Sequence, residues 1–242
     1  MSSSVAALIV AAVFLLLGFH CLRTRGRIQT ALLFGAGLLY SYLRELHITH
    51  QPQAMYSGTG ALILGVPVLI LLGWVVHFYL ALWVAQVVLR VPLGQEPNRI
   101  ISLTIASAAA MLIFSLAGEP IGSALGWWVW HRGNVLNLFW FLGIPINVLG
   151  GWMLTGALFV NTFLVFVHRL SIRWLCVLAL VLSVRYFTLT CPKCWVGVAL
   201  LATYFSFLSY YLLRRTAPGA RPIGGGERTP SALASTTDES GR

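Results

Sequence analysis

Charge is almost missing from long stretches of this chain. Apolar runs follow one another to about residue 213, and several reach the roughly 20 residues that a helix needs to cross a bilayer. Hydrophobic residues make up 58% of the 242, and charged ones only 9%. A soluble domain is nearer a quarter charged, and water-soluble packing could not hide so much apolar surface. In lipid every backbone polar group must be paired internally, so only helices or closed barrels span. Barrel strands alternate apolar and polar residues. These runs do not, which predicts an all-α, polytopic transmembrane helix bundle.

Seven spans are expected, over about residues 5–22, 28–45, 60–89, 100–117, 138–167, 172–189 and 195–213. The third is long, so it must tilt, bend at Pro67, or begin in the interface. The basic residues set the orientation. One set of connections carries Arg23, Arg25 and Arg27, then Arg90 and Arg99, then Arg169 and Arg173, then Arg214, Arg215, Arg221, Arg228 and Arg242. The other carries only Arg44, Arg132, Arg185 and Lys193. The richer set belongs in the cytoplasm, which puts the N-terminus outside and the C-terminus inside, in the cell membrane. The first residues have no basic n-region or cleavage pattern, so the first span reads as uncleaved. Residues 1–216 form the membrane domain, and the Gly-, Pro-, Ser- and Thr-rich residues 217–242 a disordered cytoplasmic tail. No internal repeat stands out.

The net charge of +10 follows from these topology-setting arginines, which meet anionic membrane lipids, and does not indicate nucleic-acid binding. Among the six acidic residues, only Glu45 and Glu119 fall at the edge of the membrane body away from the arginine-rich loops. Carboxylates there are costly and mark candidate function. Both lie at the outer ends of their spans and can share one pocket. His47, His50, Asn147, Trp127, Trp128 and Trp130 fall at the same level. A carboxylic acid in a dry aromatic site can stay protonated and act as an acid. Plainer roles stand beside this reading. Glu45 can pair with Arg44, the histidines can be ordinary loop residues, the tryptophans an interfacial belt, and Asn147 interhelical glue. His77 sits deeper in the third span, beside Trp74, and its role is open between packing and function.

Cys191-Pro192-Lys193-Cys194 permits a local disulfide, but Cys21 and Cys176 fall near the opposite face and supply no relay. Phosphate-binding glycine loops, Asp-rich diphosphate motifs and histidine boxes are all missing, which argues against a metal-dependent enzyme.

Two stretches carry a resemblance. Gly118-Glu119-Pro120, Gly126-Trp127-Trp128-Val129-Trp130 and the run from Phe141 through Pro145 and Asn147 to Trp152 form the stronger. Glu45, Tyr56, Gly65-Val66-Pro67 and Trp74 form the other. Together they resemble an integral-membrane carotenoid biosynthesis family that includes the bisanhydrobacterioruberin hydratase and the γ-carotene 1′-hydratase. Glu119 stands where that family usually has Asp. The resemblance implies hydration of a terminal isopropylidene double bond on a long-chain carotenoid or other isoprenoid lipid, with other carotenoid enzymes as neighbours. Glu119 is then the proton donor, Glu45 and Asn147 hold water, and Trp127, Trp128, Trp130, Trp152, Tyr56, Pro67 and Trp74 line a substrate groove. A carotenoid cyclase would begin with the same protonation. A non-catalytic pigment-binding subunit would use the groove without the carboxylates. A transporter would instead show inverted repeats and midplane polar groups.

Overall fold

The computed structural model describes residues 3–49, 54–56, 61–130, 139–168, 170 and 172–186. The seventh expected span, the Cys191–Cys194 motif and the 217–242 tail lie outside the described residues, as do the side chains of His47 and His50.

Helix α1 (Ser3–Thr30) is interrupted at Gly26, whose φ of 77° and ψ of 173° fit neither helix nor most side-chain-bearing residues. There the chain doubles back, so Phe34 packs edge-on against Phe14 at 5.1 Å and covers Gly18. The returning arm passes through a π-helical segment (Ala31–Ala36) into α2 (Gly37–Thr49). The expected first and second spans are therefore the two arms of one helical hairpin. Helices α3 (Val68–Leu89), α4 (Ile100–Ala124) and α5 (Ile146–Val167) follow, each long and apolar enough to cross a membrane. The shorter α6 (Arg173–Tyr186) covers most of the sixth expected span and packs on α5 and α2.

Short strands join the helices at one end: β1 (Ala54–Tyr56), β2 (Leu62–Ile63), β3 (Val66–Pro67), β4 (Trp128–Trp130), β5 (Trp140–Phe141) and β6 (Ile144–Pro145). They settle the long third span. Residues 61–67 form a hairpin, and the helix begins only after Pro67, whose fixed φ suits the residue that opens a helix. The fifth expected span starts the same way after Pro145. The fourth runs further than expected, to Ala124, with Pro120 inside the helix.

These hairpins overturn the expectation of no repeat. Leu64 and Gly65 turn the first with φ of 48° and 85°, and Leu142 and Gly143 turn the second with 51° and 78°. Positive φ at both central residues is the tight turn whose twist matches a hairpin. Val68 N–H donates to Ala61 O at 3.0 Å, and Ile146 N–H to Phe139 O at 3.0 Å. The unit α2–β1–β2–β3–α3 thus recurs as α4–β4–β5–β6–α5. Strand β1 pairs antiparallel with its own counterpart β4, Met55 opposite Val129. Equivalent strands paired in this way imply a local two-fold axis between the units. At matched depths the packing is complementary. Gly37 of α2 leaves room for Val75 and Phe159, whereas its counterpart Met111 of α4 presses on Gly156 of α5. A stacked Phe78–Phe159 pair, 4.2 Å between centroids, fills the centre.

The other end is tied by a buried polar cluster. Arg25 of the first arm reaches Glu96 at 3.3 Å and Gln86 Oε1 at 2.6 Å. Gln86 Nε2 donates to Glu96 Oε1 at 3.1 Å, and Gly94 N–H to Glu96 Oε2 at 2.5 Å. His168, just past α5, lies 3.8 Å from the same carboxylate.

Candidate functional site

Glu45 and Glu119 occupy corresponding places in the two units, near the ends of α2 and α4. Both are buried, 1% and 4% exposed. The hairpins then return the chain so that a tryptophan two turns into the next helix meets each carboxyl. Trp74 lies seven residues after Pro67, and Trp152 seven after Pro145. Trp74 Nε1 donates to Glu45 Oε1 at 2.8 Å, and Trp152 Nε1 to Glu119 Oε1 at 2.5 Å. The two indoles meet across the local axis, 4.4 Å between centroids and inclined by 34°. Two carboxyls and two indoles form one continuous row through the middle of the fold.

Charge breaks this symmetry. Arg44 donates to Glu45 Oε1 at 2.5 Å, and its guanidinium lies 4.3 Å from the Trp74 ring centroid. Gly118 stands at the matching position in the second unit, and among the described residues no ion pair is formed to Glu119. Trp130 brings its indole beside the Glu119 carboxyl without completing a hydrogen bond. Glu119 Oε2 is buried and has no hydrogen-bond partner among the described residues. An unsatisfied buried acceptor costs about 1–3 kcal/mol, so a fold that keeps one invites a functional explanation.

Other expected site residues fall around this row. Pro67 is buried at the start of α3, and Asn147 is half-buried in the first turn of α5. Trp128 packs directly over Gly122 of α4, with Trp127 6.0 Å from it. The backbone of Tyr56 pairs with Trp128, while its side chain lies outside the described residues. His77, one turn beyond Trp74, stands edge-on to Trp152 at 5.0 Å and 5.5 Å from Phe114. The indole–carboxyl bonds were not anticipated. A signal for them existed in Leu64-Gly65-Val66-Pro67 with Gly73-Trp74, set against Leu142-Gly143-Ile144-Pro145 with Gly151-Trp152 at a spacing of 78 residues.

No curated protein and no solved structure matches the chain. A family model described as carotenoid biosynthesis protein matches residues 3–213, nearly the whole membrane body. A buried carboxyl in a tryptophan-walled, membrane-embedded site suits an apolar polyene, and on that match the chain belongs to the carotenoid biosynthesis protein family.

Proposed function

We propose that this protein is a carotenoid hydratase, adding water to a terminal isopropylidene double bond, and that Glu119 is its acid. One observation carries the reading: Glu119 is held at one oxygen by Trp152 while its other oxygen is buried and unpartnered among the described residues. In this role Oε2 carries the proton and delivers it to the less substituted alkene carbon. The tertiary cation forms beside the faces of Trp130 and Trp152, whose π-electrons favour positive charge. Water captures the cation, a C–O bond forms, and the oxonium loses a proton to leave a tertiary alcohol. Glu45, ion-paired to Arg44, faces the acid across the axis, and with Asn147 it orients the water. Trp74, Pro67, Trp127, Trp128 and Tyr56 complete the groove in the outer half of the cell membrane.

Mass spectrometry of carotenoids from a pigment-producing bacterial host tests this. Expression should add one water to an acyclic carotenoid, and Glu119→Gln at normal abundance should abolish the addition. A new ring at unchanged mass identifies a cyclase instead. No new product from several acyclic precursors favours a pigment-binding subunit.

A further inference from the structure

We propose that His77 is the base that takes the proton from the attacking water. This rests on the acid-initiated reading above and assigns the acceptor of the proton that the oxonium loses. His77 Nδ1 lies 2.6 Å from the carbonyl oxygen of Gly73. A carbonyl can only accept, so Nδ1 carries the hydrogen and Nε2 is left with its lone pair. The ring stands edge-on to Trp152, the residue that holds Glu119, and so lies one indole away from the acid. Phe114, from the same helix as Glu119, lies 5.5 Å from the ring. The local symmetry isolates this group: the position matching His77 in the second unit is Thr155, a residue with no basic lone pair. Among the described residues, the imidazole therefore stands on one side of the site.

The proton balance closes. Glu119 gives its proton to the alkene carbon, and the cation takes the oxygen of water. Nε2 then accepts a proton from the oxonium, and after the alcohol leaves, a water molecule carries one proton from the imidazolium to the Glu119 carboxylate. The net change is alkene plus water to tertiary alcohol.

Two substitutions separate this chemistry from a structural role. His77→Asn places an amide N–H where Nδ1 was, keeps the bond to Gly73 and removes Nε2. His77→Gln places its amide near Nε2 and gives up the Gly73 bond. The full-length protein is incubated in D2O with liposomes containing lycopene. The wild type should yield hydrate carrying carbon-bound deuterium. Both variants should lose hydration by about a hundredfold or more. Their recovered lycopene should still gain deuterium, because Glu119 can protonate the alkene and the cation collapses back by proton loss. Glu119→Gln should show neither hydrate nor deuterium. Wild-type hydration by His77→Asn overturns the proposal and marks the Gly73 bond as the residue's only contribution. Loss of both hydration and deuterium uptake in His77→Asn also overturns it, since His77 would then act before protonation. A wild type that neither hydrates nor exchanges removes the parent reading and this proposal together.

Discussion

Glu45 and Glu119 share a depth, an indole donor and near-complete burial, and they differ by one neighbouring residue. Arg44 pairs with Glu45, whereas Gly118 stands beside Glu119, which has no ion pair among the described residues. Removing one partner of a buried ion pair costs about 3–5 kcal/mol. Arg44→Ala should therefore lower the thermal unfolding midpoint in detergent, and Arg44→Ala with Glu45→Leu should recover much of the loss. Glu119→Gln has no ion pair to break. It should leave the midpoint nearly unchanged while hydration falls about 10²–10⁴-fold, the usual contribution of a positioned acid. Trp152→Phe keeps an aromatic ring beside Trp74 and removes the N–H that steers Glu119 together with part of the indole. A hydrogen bond to a charged group is worth about 1.5–3 kcal/mol, so hydration should drop roughly ten- to a hundredfold. Hydrate formed per unit of folded protein measures both.

The hairpins place these residues, and their turns make a separate prediction. Gly65 and Gly143 have φ of 85° and 78°, where a Cβ costs about 1–2 kcal/mol. Gly65→Ala and Gly143→Ala should each lower the unfolding midpoint. Gly150→Ala, in the helical part of α5 with nothing within 4 Å of the added carbon, should raise it slightly. Helices α3, α4 and α5 were legible because lipid imposes length and apolarity on every spanning segment. Glu45 and Glu119 were legible because carboxyls are rare there. The hairpins were obscured because Leu62, Ile63 and Leu64 are as apolar as the helix that follows them. The repeat was hidden by unequal linkers, with Glu45 and Glu119 74 residues apart and Trp74 and Trp152 78 apart. Which indole meets which carboxyl depends on helices crossing in three dimensions, and no spacing in the chain states it.

Across the whole molecule, the site end and the arginine end are held by different means. The Arg25–Glu96 pair gathers the first arm, the α3–α4 connection and the end of α5 into one knot. His168 borders that knot, and burial pushes its imidazole below the usual 6.5, although Glu96 pulls it up and Arg25 pushes it further down. The unfolded chain therefore binds this proton more readily. Stability contributed by neutral His168 is present above pH 6.5 and is lost as pH falls from 6.5 through the lower folded-state value. His168→Gln should flatten the pH dependence of the unfolding midpoint in that window. At the opposite end, the tips of both hairpins expose apolar side chains: Ile63 and Leu64 on one, Phe139, Phe141 and Leu142 on the other. Such a roof suits the hydrocarbon boundary better than water, so under the proposed function a polyene would reach the tryptophan row sideways, from within the leaflet. Turnover should then follow the mole fraction of carotenoid in the bilayer rather than its amount per millilitre. Diluting the vesicles with inert lipid at fixed total carotenoid should slow the protein, and diluting them with buffer should not.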